Sequence, residues 1–194
     1  MRRELTVGSL LAACGFVLHA ATAFAADPAA SDLPPHTAES GAELTPVARA
    51  MDLPQLALAL DLDPAAQSLR GLAEYTVVAT APLEAVEFDL DPRFAISHVT
   101  VDGEEIPAGR WENVGGLLRI ALPAPLEAGR STMVGITYAG KPRVAPNAPW
   151  DGGFVWKETP DGKPWIATAV QSEGCDLFWP CLDLSLIHIS SPRD

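Results

Sequence analysis

Apolar and polar residues alternate along most of the chain between positions 53 and 140, with a period of two. This period is typical of half-buried β-strands, because successive side chains of a strand point to opposite faces. The clearest alternating runs are 56–62, 75–77, 86–90, 118–122 and 134–138. Turn residues such as Asp63-Pro64 and Asp102-Gly103 separate these runs. The pattern predicts a mainly β fold, specifically an antiparallel β-sandwich.

Aromatic residues concentrate beyond the strand-rich region. Segment 150–183 holds four of the five tryptophans and two of the three cysteines. Within it, 154–156 and 165–170 are predicted to pair as a hairpin around the turn Pro160-Asp161-Gly162. Polar residues, including Gln171 and Asp176, lie among the aromatic ones, as is typical where a pocket wall meets solvent.

The amino terminus has the features of an export signal. Arg2 and Arg3 precede an apolar stretch, and Ala23 and Ala25 flank Phe24 as a cleavage site. We expect a signal peptide over 1–25 and a periplasmic or extracellular protein; a lipoprotein signal ending at Cys14 is the alternative. No later segment approaches the roughly 20 apolar residues that span a bilayer.

Composition limits the remaining organisation. Segment 26–50 is rich in Ala, Pro and acidic residues and is predicted to be a flexible linker before a sandwich domain at 51–183. The net charge of −12, with only 13 basic residues, argues against a nucleic-acid partner. The chain length and its 48% hydrophobic content fit one well-buried domain.

Cys175 and Cys181 remain after the signal. Three states are open to them: buried free thiols, which we favour, a disulfide, which an oxidising compartment permits, or a metal site. Their spacing, with five residues between the cysteines, is poor for a zinc knuckle.

Four short motifs carry a resemblance to a known family: GGF at 152–154, DGKPW at 161–165, EGCD at 173–176 and WPC at 179–181, followed by Asp183. The series resembles the substrate-proximal edge of the N-terminal domain in the zinc aminopeptidase family that includes aminopeptidase N and the leukotriene hydrolases. The resemblance implies that Gln171 binds substrate beside its first residue. Glu173 is the second predicted substrate-binding residue, since a carboxylate pairs well with a free amino group. The structural alternatives are a glutamine satisfied by backbone and a solvated surface glutamate.

The family's metal site needs two histidines four residues apart and a glutamate beside the first. The chain has four histidines, none is followed by Glu, and no two are four apart. We therefore expect no catalytic residues and no metal or other cofactor in this chain, with zinc held only in a full-length parent. Segment 184–194 resembles translated adaptor sequence and is predicted to be foreign, so His188 receives no role.

Two functions follow from the sequence. The first is a truncated, substrate-proximal domain of an exported zinc aminopeptidase, inactive alone, whose partners are the missing catalytic domain and a peptide substrate. The alternative is a stand-alone secreted β-sandwich that binds carbohydrate or protein through tryptophans such as Trp150 and Trp156.

Overall fold

The computed structural model describes residues 33–38, 40–171 and 173–184, which all lie in one compact unit, Ser31–Asp194. The signal peptide, the Cys14 alternative and nearly all of the predicted foreign tail fall outside these residues. Across the described part of the chain, no helix is long and apolar enough to cross a membrane.

The described elements are mostly strands. They are β1 (Met51–Asp63), β2 (Ser68–Ala79), β3 (Leu83–Asp89), β4 (Phe94–Val101), β5 (Glu104–Glu105), β6 (Trp111–Val114), β7 (Leu117–Leu126), β8 (Ser131–Gly140), β9 (Gly153–Glu158) and β10 (Pro164–Ala169). Helices are short: α1 (Pro35–Ala38), α2 (Pro46–Arg49) and a 3₁₀ turn at Cys175–Leu177.

The strands form three antiparallel sheets, with the orders β1-β2-β8-β4-β5, β3-β7-β6 and β10-β9. Alternation along β2 shows how the five-stranded sheet contributes to the core. Leu69, Ala73, Tyr75 and Val77 are buried, whereas the intervening side chains face outward. Apolar residues from the three-stranded sheet, such as Phe88, share the same core. The predicted antiparallel β-sandwich is confirmed.

The hairpin predicted in the aromatic segment is also present. β9 pairs with β10 in antiparallel register, with Phe154 opposite Thr168 and Trp165 opposite Lys157. Phe154 is buried in the core, whereas Trp165 is exposed.

Residues 33–38 and 40–50 are folded, whereas their composition predicts a flexible linker. They include α1 and α2, and they bury Leu33, Thr37 and Ala48. Thr45 caps α2 by accepting a hydrogen bond from the Ala48 backbone N–H. This part of the chain therefore packs against the sandwich. Composition did not reveal it, because helices of a single turn leave no measurable apolar period.

Candidate functional site: the carboxyl-terminal segment

Residues 173–183 form the segment that carries the last two of the four family-like motifs, and a disulfide closes its central loop. Cys175 and Cys181 are bonded, with their Cα atoms 6.2 Å apart. The expectation of two free thiols was wrong. The 3₁₀ turn between them reverses the chain and brings the two sulfurs together, which residue spacing alone does not reveal.

Two buried tyrosines of the five-stranded sheet hold this loop on the inner face. The Tyr138 hydroxyl donates to the carbonyl of Phe178 at 3.0 Å, and the Tyr75 hydroxyl donates to the carbonyl of Pro180. Burial raises the pKa of both phenols well above the usual value, so both stay protonated as donors. The loop is thus fixed by groups on β2 and β8.

The end of β3 holds the other side of the segment. Asp89 and Cys181 form an isolated antiparallel bridge, with N–O distances of 2.6 and 3.0 Å. The Asp183 N–H donates to Asp89 Oδ2 at 2.7 Å, and Asp91 N–H donates to the Asp176 carbonyl at 3.0 Å. The segment therefore pairs with the end of β3 through a single bridge, which these side-chain and backbone hydrogen bonds extend.

Glu173 lies in a buried ion pair. Its Oε1 is 2.7 Å from an Arg143 guanidinium nitrogen, and its Oε2 accepts the Gly152 N–H at 2.6 Å. The side chains of Glu173 and Arg143 are only 10% and 7% exposed. Arg143 also donates to the Gly152 carbonyl at 2.8 Å. Glu173 is therefore not a solvated surface residue; it ties the segment to the start of β9.

Gln171 follows β10 and is exposed. Gln171 lies two positions before Glu173 in the sequence, between the hairpin and the disulfide loop. The structure thus places the two predicted substrate-binding residues on one short stretch, with one exposed and the other held by the fold.

Asp176 is a residue whose setting the sequence did not reveal. It is 1% exposed, and neither carboxylate oxygen has a hydrogen-bond partner among the described residues. Burial raises its pKa to about 7, and the charges of Asp183, Asp89 and Asp91 add to the rise. The hydroxyl of Thr37 partly offsets this rise in pKa.

These acids surround a small cavity beneath α1 and α2. It has room for about one water, about 20 Å³, and Asp176, Asp183, Asp89, Glu87 and His36 contribute to its wall. The His36 Nε2 and Asp89 Oδ1 atoms are 2.5 Å apart. Within the described ranges, no group of three or more His, Cys, Asp or Glu residues is placed to hold a metal ion.

Comparison with protein-family models and with curated proteins gave no match. Solved structures do match. A zinc metallopeptidase of the M1 class from Deinococcus radiodurans superposes with a TM-score of 0.57 and 23% identity, over 76% of this chain and 32% of that one. An E323A mutant of an M1 zinc metallopeptidase from the same organism, bound to a Tyr-Ser-Ala substrate, superposes with a TM-score of 0.52 and 24% identity, over 70% of this chain and 30% of that one. Leukotriene A4 hydrolase from Saccharomyces cerevisiae, in a complex with bestatin, superposes with a TM-score of 0.51 and 15% identity, over 70% of this chain and 21% of that one.

These likenesses establish a shared fold. The chain spans about a third or less of the length of the structures it matches. Its sandwich is therefore similar to one part of larger zinc metallopeptidases.

Proposed function

We propose that this chain is the substrate-proximal, N-terminal domain of an exported zinc aminopeptidase. The observation that carries the proposal is the fold likeness to M1 zinc metallopeptidases over 70–76% of the chain. The sequence motifs of 152–183 add to it, because they lie together in the hairpin and the disulfide-closed segment.

In this proposal Gln171 binds the substrate directly. An amide offers both a donor and an acceptor, so it can hold a peptide backbone edge without changing charge. Its exposed position leaves it open to an adjoining domain. Glu173 is the second substrate-binding residue. Each of its oxygens already accepts one hydrogen bond and keeps further acceptor capacity for an ammonium group.

The chemistry of peptide hydrolysis lies outside this chain. Zinc would activate water in a catalytic domain of the parent protein. The described residues supply shape, a rigid loop and two polar groups. The chain alone is accordingly proposed to be inactive, with the catalytic domain and a peptide substrate as its partners.

The role of Gln171 can be tested in the full-length parent. Replacing it by Ala removes a contact to the bound substrate, so we expect kcat/KM on aminoacyl substrates to fall about tenfold, the equivalent of one lost hydrogen bond. Glu105→Ala is the control, because Glu105 is also exposed but lies on β5, away from the substrate-proximal segment. Equal kinetics for the parent and Gln171→Ala would refute the assignment.

The binding-module alternative depends on exposed tryptophans. Trp150 and Trp165 are 61% and 49% exposed. Trp156, however, is stacked on Phe154 with ring centroids 5.1 Å apart and packs against the core. A flat tryptophan platform for a sugar would therefore have to use Trp150 and Trp165 without Trp156.

A further inference from the structure

The first strand of the five-stranded sheet has an open edge. Among the described residues β1 pairs with β2 alone, although it is 13 residues long. An open strand edge presents unpaired N–H and C=O groups and is a template for another strand. Charged residues and proline protect natural edges, but here Pro54 and Asp61 lie at either side of an unprotected stretch, 55–60.

An apolar row runs along this stretch. Leu58 and Leu60 lie directly opposite Ala73 and Gly71 of β2, so they point to the inner face of the sheet. Leu58 is partly buried against the core, yet Leu60 is 43% exposed. Leu56 and Leu62 are similarly exposed, at 38% and 36%. At this edge, the inner face of the sheet therefore carries apolar side chains that the other described elements leave partly exposed.

The sequence of this stretch suits a second copy of itself. Residues 56–60 have the sequence LALAL, which is the same in both directions. In an antiparallel pair centred on Leu58, Leu56 faces Leu60 of the second copy, and both point to the same side. Such an isologous contact requires a self-complementary surface, and a palindromic strand provides one.

The charges also permit this register. Asp61 faces Gln55 of the second copy, and Asp63 faces Leu53. No carboxylate lies directly opposite another, which matters in a chain with a net charge of −12. We propose that β1 is a dimerisation edge: two copies of the chain pair through residues 55–61, centred on Leu58, and join their five-stranded sheets into one continuous sheet.

Disulfide trapping tests both the contact and its register. Leu58→Cys places a thiol opposite its own copy at a Cα distance of about 5 Å, which a disulfide can bridge. Leu60→Cys is the matched control on the same strand and face. In this register its two copies are about 14 Å apart, which is too far. Both variants are made in the full 194-residue chain. The unmodified chain is oxidised in parallel, to show how much cross-linking arises from Cys14.

After mild oxidation, non-reducing electrophoresis should shift the main band from monomer to dimer for Leu58→Cys. Leu60→Cys should give the same fraction of disulfide-linked dimer as the unmodified chain. Equal cross-linking of both variants, or of neither, overturns the proposal.

Sedimentation provides a second measurement that requires no cysteine. Leu60→Lys places a charge at the proposed contact and should shift the chain from dimer to monomer. Leu72→Lys is the control, because Leu72 is 37% exposed but lies on the outer face of β2. A monomeric unmodified chain, or equal effects of the two lysines, contradicts the dimer. Neither experiment uses peptidase activity, so the result is independent of the proposed function.

Discussion

At the scale of single residues, Asp176 is the most unusual group. Its carboxyl is buried with no hydrogen-bond partner in the described part of the chain, and other acidic residues lie around it. Its ordinary pKa of 3.8 is raised to about 7 in the folded chain. The folded state therefore holds this proton more tightly than the unfolded state does, and stability is linked to pH.

We predict that stability falls as the pH rises through this window. The contribution of the neutral carboxyl is fully present below pH 4 and is lost as pH passes about 7; a shift of this size corresponds to about 4 kcal/mol. Asp176→Asn keeps the shape without the charge. Its melting temperature should therefore exceed that of the parent at pH 8, whereas the two should be close at pH 5.

Thermal unfolding at the two pH values measures this effect. Asp161→Asn is the control, because Asp161 is an exposed carboxylate paired with Lys163. If Asp176→Asn and Asp161→Asn change the melting temperature equally at both pH values, the stability change does not arise from burial of Asp176.

The residue scale also shows the limit of sequence reasoning. Residue type predicted Gln171 and Glu173 as neighbours on a polar stretch, but nothing in the sequence indicated that Arg143 lies against Glu173. The partners are 30 positions apart, and their contact depends on how the hairpin folds back. The cavity beside Asp176 likewise depends on a contact distant in sequence, because His36 of α1 contributes to its wall.

At the scale of elements, the disulfide loop fixes segment 173–183 to the five-stranded sheet. Cys175 and Cys181 enclose a short loop whose carbonyls accept hydrogen bonds from Tyr75 and Tyr138. The loop therefore has two independent restraints, one covalent and one through the core.

Reduction should loosen the segment without unfolding the sandwich. A disulfide closing so short a loop contributes about 2 kcal/mol. We predict that Cys175→Ser with Cys181→Ser lowers the free energy of unfolding by about that amount and increases amide exchange over 173–183. Hydrogen exchange with mass spectrometry locates the change. Uniform loss of protection across β2 and β8 would show that the disulfide supports the whole sheet, contrary to this account.

Strands were predictable and short helices were not. Period-two alternation is a strong signal in β2 and β8, because one face of each is mostly buried and the other is more exposed. β1 has the same alternation, yet its leucines are largely exposed. Alternation shows which residues share a face, but it does not show whether another element covers that face.

At the scale of the whole molecule, the sandwich provides a rigid support for one segment. The five-stranded sheet, the end of β3 and Arg143 each hold part of 173–183, and Gln171 lies exposed beside it. No zinc site is assembled among the described residues. In the proposed function, this arrangement forms one wall of a cleft whose reactive part belongs to another domain.

The most direct test of the proposed function compares the 194-residue chain with the complete polypeptide that the proposal requires, in which a catalytic domain follows the sandwich. Each is purified, its zinc content is measured, and hydrolysis of an aminoacyl substrate is followed. We predict that the complete polypeptide binds one zinc and hydrolyses the substrate, whereas the 194-residue chain does neither. A complete polypeptide without zinc or activity, or stoichiometric zinc in the 194-residue chain, would contradict the account.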